Sequence, residues 1–435
     1  MTTADLPVLI IGGGFSGSML AARLAEKGKA SVVIEQGHHR GLGVAYSTTE
    51  PAHRLNVRTN NMGAVADDPA NFVKWLAAHH PQHADPEGFA PRPLYGAYVQ
   101  DRLKSVQARH PDLIGWVNAK AVEIKDAAVV LDGGQTLEGS AIVLASGNPP
   151  PRQSANEDSP RRLSDPWAVG ALEQIGRDDE VLILGSGLTM VDVLLSLSAA
   201  GWRGKAMALS RRGLAPRAHI YGRHAPATLP PEALSSPLSK RLHAVRKLAR
   251  TVDWRDIMDA FRSRTTALWL EASEKERGRF LRHLRPWWDV HRHRIAPQIA
   301  DEIQALLTTD RLVLKAGRIQ SVADQGDHLA ITYQPRGTTD VVSRQVHWLI
   351  DCTGPGHDPA HAPLTAPLVA AGRLSIDGLG LGLRVAQTGQ VLSEAGEPDP
   401  VIHVLGPPAR GAFWETIAVP DLRVRIEELS DRLAR

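Results

Sequence analysis

The sequence predicts an α/β protein built from two units of the same kind, with the second unit inserted into the first. Two observations predict it. An apolar run, a glycine turn and a helical pattern open the chain, and the same succession returns near residue 181. Each half then ends in an apolar run that leads into a small residue and a glycine, at residues 145–147 and 352–354. Strands that alternate with helices in this way form parallel sheets.

The repeat sets the predicted domain boundaries. Residues 1–150 and 346–435 would form the first unit, and residues 165–345 the second. A strongly charged helical pattern at about 232–307 stretches the second unit and is predicted to be a helical insertion. A stretch rich in proline and serine, residues 149–166, is predicted to be the linker between the units.

The first glycine turn has the spacing Gly12-x-Gly14-x-x-Gly17 after the apolar run 8–11. Gly12 permits a tight turn, Gly14 lets a pyrophosphate approach the backbone, and Gly17 lets the helix pack closely on the sheet. The helix N-terminus, at Phe15 and Ser16, presents free N–H groups to phosphate. With a strand before it and a helix after it, this turn predicts a dinucleotide site.

Glu35 ends the next apolar run, about twenty residues beyond the turn, where a carboxylate accepts hydrogen bonds from a ribose diol. A carboxylate at this place repels a 2′-phosphate. The first site is therefore predicted to bind FAD or NAD rather than NADP.

The second glycine turn contains Gly185 and Gly187, but Met190 stands in the third glycine position. A larger residue there is tolerable if the helix lies slightly further from the sheet. The next strand ends in Ser210-Arg211-Arg212 instead of an acid, and paired arginines match a 2′-phosphate. NADPH is the predicted ligand, and a solvated basic loop is the alternative.

Composition excludes several other classes of protein. The 435 residues are enough for two or three domains, and 50 basic against 47 acidic residues give no argument for nucleic acid binding. The lone cysteine, Cys352, excludes a disulfide framework and a Cys-x-x-Cys redox pair and is predicted to be a small buried hydrophobe. No signal peptide and no apolar run of membrane-spanning length is seen, so a cytoplasmic protein without membrane contact is expected. His291 and His293 lack a third ligand at helical spacing, so no metal site is predicted.

Periodicity predicts the remaining elements. The irregular segment 41–69 is long enough to be functional. The predicted helices are 71–79, 95–106 and 412–429, and the predicted strands are 116–117, 121–124, 129–131, 312–314, 329–333 and 401–406, with a hairpin turn at 132–134.

These motifs together resemble a known group, the bacterial FAD/NAD(P)-binding proteins related to flavin-containing monooxygenases and amino-acid N-hydroxylases. The resemblance covers nearly the whole chain and includes Arg285-Pro286-Trp287-Trp288-Asp289 and Leu405-Gly406-Pro407. It implies two Rossmann-like dinucleotide-binding domains of the glutathione-reductase and flavin-monooxygenase kind, with FAD and NADPH as cofactors.

The resemblance also implies roles for residues outside the two turns. Asn61 and Met62 would approach the isoalloxazine ring, and Gly147 and Gly354 would be the turns where the chain crosses between domains. Gly406 and the segment around Trp414 would close the flavin site. The predicted cofactor-binding residues are Gly12, Gly14, Phe15, Ser16, Gly17, Glu35, Gln36, Tyr46, Asn56, Asn61, Met62, Gly147, Gly185, Gly187, Leu188, Thr189, Ser210, Arg211, Arg212, Gly354, Gly406, Trp414, Glu415 and Thr416.

Electrons that pass from NADPH to a flavin must leave it. A cysteine pair is absent from the sequence, so the acceptor is oxygen or a small substrate. The leading hypothesis is an NADPH-dependent FAD monooxygenase that uses O2 to hydroxylate a small polar molecule. A flavin reductase or dehydrogenase without oxygenation, and a flavin-binding regulatory or electron-delivery partner protein, stay open. The region 149–167 lacks the Phe-x-Gly-x-x-x-His fingerprint of ketone ring-expanding oxygenases, which makes that reaction less favoured.

Several residues leave two interpretations open. Trp287 and Trp288 are predicted to fix the insertion to the core, with a substrate wall as the alternative. His219 and His224 follow the two arginines and are predicted to contact nicotinamide or substrate, or to be ordinary loop residues. Asp192 is predicted to support its helix N-terminus electrostatically. No catalytic acid or base can be named, and the sequence leaves the substrate and the oligomeric state open.

Overall fold

The computed structural model describes residues 6–37, 40–148, 159–222, 225–354 and 359–435. Most of the predicted linker, residues 149–158, and His224 lie outside the described residues.

The strands fall into three sheets. They are β1 Val8–Ile11, β2 Ser31–Ile34, β3 Ile114–Val117, β4 Ala121–Lys125, β5 Ala128–Leu131, β6 Thr136–Glu138, β7 Ala141–Leu144, β8 Arg162–Leu163, β9 Val181–Leu184, β10 Ala206–Ser210, β11 Leu312–Asp324, β12 Leu329–Pro335, β13 Val342–Val346, β14 Trp348–Asp351, β15 Gln390–Leu392 and β16 Pro398–Val404.

Helices connect these strands and also form a separate group in the middle of the chain. They are α1 Phe15–Glu26, α2 Gly43–Tyr46, α3 Asn71–His79, α4 Arg92–Arg109, α5 Leu188–Ala199, α6 Pro231–Leu234, α7 Leu238–Leu248, α8 Trp254–Phe261, α9 Thr265–Glu271, α10 Glu274–Arg279, α11 Arg285–Arg292, α12 Pro297–Thr308, α13 Ala366–Ala370 and α14 Val419–Leu433. Short 3-10 turns occupy Thr59–Asn61, Pro81–His83, Leu172–Gln174, Arg262–Arg264 and Pro407–Ala409, and a π-helical turn occupies Phe280–Leu284.

The first sheet has the order β15-β16-β7-β1-β2-β3. Its strands are parallel except β15, which runs antiparallel to β16. β1 reads Val-Leu-Ile-Ile and is buried throughout, as expected for a central parallel strand that is covered on both faces. Because β7 and β16 are neighbours, the chain leaves this sheet after β7 and returns to it only near residue 390.

The second sheet contains strands that lie between those two points in the sequence, in the order β13-β12-β11-β10-β9-β14-β8. β11 pairs in parallel with β10 through Leu312–Ala316, and its second half pairs antiparallel with β12. β14 pairs with both β9 and β8, so the sheet extends to Asp351 and begins at Arg162. The predicted limits of the second unit, 165 and 345, therefore exclude two of its strands, β8 and β14. These strands belong to the sheet because they pair with strands distant in sequence, which periodicity alone does not show.

The helices α6 to α11 form the helical insertion, as the charged helical pattern predicts. α12 is different. It connects the parallel strands β10 and β11, and Ile299, Ile303 and Leu306 pack in the core of the second unit. The insertion therefore ends before α12 rather than at 307, because the apolar face of α12 belongs to a crossover helix.

Other predicted elements are confirmed with small changes. α3, α4, β5, β11, β12 and β16 cover the predicted helices and strands. The predicted helix 412–429 is wrong at its start. Residues 412–418 form turns, and α14 begins at Val419 with Pro420 in its first turn, a position that tolerates proline because that backbone N–H has no helical partner.

Candidate functional site

The first glycine turn is shaped by close contacts within the chain. Gly12 has φ of +107°, and a Cβ there would lie 2.4 Å from the carbonyl oxygen of Ala145. A Cβ on Gly17 would lie 2.0 Å from the carbonyl oxygen of Gly12. Gly14 differs, since its Cβ would meet nothing closer than Gly43 Cα at 3.5 Å. Packing therefore requires Gly12 and Gly17, whereas Gly14 leaves space beside the first N–H groups of α1 for a ligand.

Glu35 lies beside this turn and is held by backbone donors. The N–H of Gly13 donates to Glu35 Oε2 at 2.6 Å, and the N–H of Gly37 donates to Oε1 at 2.8 Å. The neighbouring Gln36 is exposed. The guanidinium of Arg40 lies 4.7 Å over the ring of Trp116, which lies in β3 beside Glu35. Neither Trp116 nor Arg40 was predicted from the sequence, because the pairing of β3 with β2 places Trp116 here.

The segment after β2 folds over the glycine turn. Gly41 donates to the carbonyl of Gly13 at 2.8 Å, which brings α2 next to Gly14. Tyr46, at the end of α2, packs 6.1 Å from Phe15 and 4.6 Å from Tyr95 between ring centroids. Burial raises the pKa of Tyr46 to about 12, so its hydroxyl stays protonated at neutral pH. The predicted residues Phe15 and Tyr46 are thus brought together at the start of α1.

The second glycine turn repeats the first. Gly185 has φ of +97°, and a Cβ there would lie 2.3 Å from the carbonyl oxygen of Cys352, as Gly12 lies against Ala145. Gly187 precedes α5 in extended conformation, and a Cβ there would meet no described atom within 4 Å. Met190 is fully buried in the core of the second unit, so a larger residue is accommodated at the third position. Cys352 is buried, as predicted.

Ser210, Arg211 and Arg212 form the turn after β10. The Ser210 hydroxyl accepts from the N–H of Gly213 at 2.9 Å and from the Ser186 hydroxyl at 2.8 Å, so it shapes both turns. Arg211 is exposed, and Arg212 reaches the carbonyl of Arg282 at 3.5 Å. Leu188 and Thr189, in the first turn of α5, are half-buried.

Gly147 and Gly354 end the strand regions that flank the two glycine turns. Their φ angles are +69° and +94°, a conformation that favours glycine, and a Cβ at either would meet no described atom within 4 Å. Each lies at the carboxyl edge of its sheet, where ligands bind in open α/β sheets.

The predicted flavin-wrapping segment contacts both the second unit and the C-terminal helix. His219 Nε2 lies 3.1 Å from the carbonyl oxygen of Asn56, and Arg423 donates to the carbonyl of Asn61 at 2.9 Å. Burial, together with nearby arginines, lowers the pKa of His219 to about 2, so the ring is neutral. Met62 is 2% exposed and packs in the first core, so only its backbone is available to a ligand.

The C-terminal segment returns to α1. A Cβ on Gly406 would lie 3.6 Å from Ser16 Oγ, and the Thr416 hydroxyl donates to the carbonyl of Gly406 at 3.2 Å. Trp414 stacks on Trp269 of the insertion with ring centroids 4.7 Å apart. The segment therefore joins the first glycine turn to the helical insertion.

A buried charged cluster, which sequence reasoning missed, lies where these parts meet. Arg292 pairs with Glu415 at 3.2 Å, with side chains 7% and 2% exposed. Burial and the charge of Arg292 lower the pKa of Arg262 to about 10, and burial raises the pKa of Asp421. Arg262 Nη2, Arg292 Nε and Asp421 Oδ2 make no hydrogen bond to the described residues. Buried polar atoms normally have partners, so these mark space for a ligand or water.

Asp192 does not support a helix N-terminus as predicted. It receives two hydrogen bonds from the guanidinium of Arg92, at 2.7 and 3.1 Å, and its carbonyl lies 3.0 Å from His53 Nε2. It joins α5 of the second unit to Arg92, the first residue of α4 in the first unit.

The tryptophans of the insertion differ in role. Trp288 contacts Phe261 and Phe280 and donates to Glu415 Oε1 at 3.3 Å, which fixes the insertion to the C-terminal segment. Trp287 is 43% exposed. Within the described residues no group of three metal-binding side chains is found, and no helix has the length and apolar character that a membrane crossing requires.

Residues 9–149 match a protein-family model described as FAD-NAD(P)-binding. This match confirms the prediction of a FAD- or NAD(P)-binding unit at the start of the chain. No curated protein sequence matches the chain significantly.

Solved structures similar to the whole chain include three amino-acid hydroxylases. The reduced form of ornithine hydroxylase from Pseudomonas aeruginosa has a TM-score of 0.68 at 15% identity, covering 99% of this chain and 98% of that one. Ornithine N-hydroxylase from Kutzneria sp. 744, in complex with reduced FAD, NADP+ and L-ornithine, has a TM-score of 0.67 at 15% identity, covering 98% of each chain. L-lysine 6-monooxygenase from Pseudomonas syringae has a TM-score of 0.68 at 15% identity, covering 98% of this chain and 99% of that one.

These similarities confirm the predicted fold class and the predicted resemblance to proteins of the flavin-monooxygenase kind. At this level of identity the likeness to solved structures concerns the fold.

Proposed function

We propose that the protein is a FAD-dependent oxidoreductase that is reduced by NADPH and acts as a monooxygenase. The observation that carries the proposal is the difference between two otherwise equivalent sites. Each has a glycine turn with the same close contact, but the neighbouring strand ends in Glu35 in the first and in Arg211-Arg212 in the second. A carboxylate favours a ribose diol and arginines favour a 2′-phosphate.

The first site fits FAD. Gly14 leaves the space that a pyrophosphate needs, α1 supplies the first N–H groups, and Glu35 is already oriented by two backbone donors. Gly406 lies beside Ser16 at the start of α1. When bound, FAD would accept a hydride from NADPH and pass the electrons onward.

The second site fits NADPH. Gly187 leaves space before α5, and the exposed Arg211 is free to contact a 2′-phosphate at the end of β10. Ser186 and Ser210 hold the two turns at a fixed distance through their 2.8 Å hydrogen bond. His219, neutral and half-buried, lies between this unit and Asn56 of the first and would line the path between the cofactors.

Two observations support oxygen as the acceptor of the flavin electrons, one from the sequence and one from the similar solved structures. The only cysteine in the sequence is buried, and burial raises its pKa, so it offers neither a redox pair nor a reactive thiolate. Three similar structures are those of two ornithine hydroxylases and a lysine monooxygenase. Their substrates also support the expectation of a small-molecule substrate, because ornithine and lysine are small and polar.

The test is rapid-mixing absorbance of the FAD-loaded protein. Anaerobic NADPH should bleach the bound flavin, and oxygen added afterwards should produce an absorbance transient that belongs to neither oxidised nor reduced flavin. Fast bleaching followed by direct reoxidation, with no oxygen incorporated into any substrate, would favour a reductase. A flavin that NADPH cannot reduce would favour an electron-delivery or regulatory partner protein.

A further inference from the structure

The helices of the insertion line a partly open cavity of about 520 Å³, within the size range of sites for small organic molecules. Aromatic rings contributed by several helices and by the C-terminal segment form much of its wall. They are Trp254, Phe261, Trp269, Phe280, Trp287, Trp288 and Trp414.

Helix α7 has an apolar face that lines the cavity. Leu238, Leu242 and Val245 follow one another at helical spacing, which normally produces a face that packs in a core. None of the residues of α7 is buried by the rest of the described chain, and these three line the cavity instead. An apolar face and aromatic walls around open space favour an apolar occupant, because interiors are otherwise close-packed.

The polar groups of the cavity favour an anion. Arg241 lies on the same face of α7, and its Nε is buried without a hydrogen bond to any described residue. Arg277 is already engaged with the carbonyls of Ala272 and Leu270, and Glu276 is the one carboxylate among the lining residues. Arg246 adds a second positive charge at an exposed edge. Arginine is well suited to a carboxylate, which it contacts through two N–H groups.

The cavity also adjoins the proposed flavin site. Trp414 forms part of its wall, and Trp288, another wall residue, donates to Glu415. Both belong to the segment that follows Gly406, which lies against Ser16 at the start of α1. A molecule in the cavity therefore touches the segment that closes the first dinucleotide site.

We infer that this cavity is the substrate site and that the substrate is a bulky apolar carboxylic acid, with Arg241 as the residue that binds its carboxylate. That the ligand is a substrate rests on the proposed function. A bulky apolar acid replaces the small polar molecule that the sequence led us to expect. An amino acid such as ornithine carries a second charged amine, whereas the one carboxylate among the lining residues, Glu276, already interacts electrostatically with Arg241.

The first test is calorimetric titration of the FAD-loaded protein with 2-naphthoate, which has the required apolar body and carboxylate. We expect saturable binding with a Kd of about 10–100 μM and a negative heat-capacity change from apolar burial. 2-Naphthamide, of nearly equal size but uncharged, should bind about tenfold more weakly. L-Ornithine should give no saturable binding.

Matched variants locate the binding site. Arg241→Gln should weaken the binding of 2-naphthoate about tenfold and leave the binding of 2-naphthamide unchanged. Arg241→Lys, which keeps the charge, should bind 2-naphthoate more tightly than Arg241→Gln does. Lys240→Gln removes the same charge from an exposed neighbour on α7 and should leave both affinities unchanged. Leu242→Trp should narrow the cavity beside Arg241 and weaken the binding of both compounds.

The same titration read in visible absorbance tests the position of the site. 2-Naphthoate should shift the spectrum of bound FAD, and Arg241→Gln should move the midpoint of that shift as it moves the calorimetric Kd. Absence of saturable binding overturns the inference, as does binding that Leu242→Trp leaves intact or that leaves the flavin spectrum unaltered. Because none of these measurements uses NADPH or oxygen, failure of the proposed monooxygenase activity would be seen separately, in the rapid-mixing experiment.

Discussion

At the scale of single residues, Gly12 and Gly14 lie in one turn but serve different purposes. Ala at position 12 would clash with Ala145 and occupy φ of +107°, so Gly12→Ala should lower the free energy of unfolding by more than about 2 kcal/mol. Gly14 has φ of −69°, which Ala adopts readily, and its neighbours leave room. Gly14→Ala should therefore change the free energy of unfolding by less than about 1 kcal/mol. It should nevertheless weaken the binding of FAD at least about tenfold.

Denaturation of the flavin-free proteins in urea and calorimetric titration with FAD separate these effects. A Gly14→Ala protein that binds FAD as tightly as the parent would contradict the assignment of this space to the pyrophosphate.

Arg211 supports a second prediction at this scale. If it binds the 2′-phosphate, Arg211→Ala should raise the KM for NADPH about tenfold or more and leave the KM for NADH almost unchanged, because NADH lacks that phosphate. Initial rates of flavin bleaching with each nucleotide measure this. Arg203→Ala, which removes another exposed arginine paired with Asp178 at 3.4 Å, is the control and should alter neither constant.

At the scale of elements, the contact of α5 with the start of α4 depends on the pair Arg92–Asp192. The two side chains are 15% and 7% exposed, so removing one leaves the other charge largely buried. Asp192→Ala should lower the free energy of unfolding by about 3 kcal/mol. The exposed pair Glu123–Lys125 provides the control, and Glu123→Ala should cost less than about 1 kcal/mol.

A double variant distinguishes the pair from the surrounding packing. If the effect comes from an unpaired charge, Arg92→Met combined with Asp192→Ala should be less destabilised than the sum of the two single variants. Additive losses in urea denaturation would show that the two side chains act separately.

At the scale of the whole molecule, the sequence predicts what is encoded locally. Each dinucleotide motif lies within a single βαβ stretch: a glycine turn, the apolar runs around it, and Glu35 or Arg211 after the second strand. The two units could therefore be inferred without knowledge of tertiary contacts. The pairing of β14 in the second sheet, the Arg92–Asp192 contact and the Arg292–Glu415 cluster join residues far apart in sequence. The cavity of the insertion was missed for the same reason, because the apolar stripe of α7 predicts burial but not the open space it faces.

The stability of the whole fold should depend on pH through His219 and His403. Burial lowers the pKa of His219 to about 2 and also lowers the pKa of His403. Below about pH 6.5 the unfolded chain binds protons that the folded chain does not, so stability falls as pH falls. Between pH 7.5 and pH 5, His219 alone should account for a loss of about 2 kcal/mol in the free energy of unfolding.

Substitution isolates this contribution. His219→Gln keeps a neutral side chain that can donate to the carbonyl of Asn56. Between pH 7.5 and pH 5, its free energy of unfolding, measured by urea denaturation, should therefore fall by about 2 kcal/mol less than that of the parent. His243→Gln, at an exposed position on α7, should leave the pH dependence of the parent unchanged. An equal loss in the parent and in His219→Gln would mean that His219 is protonated in the folded protein, which would place a positive charge between the two units where the structure has a neutral ring.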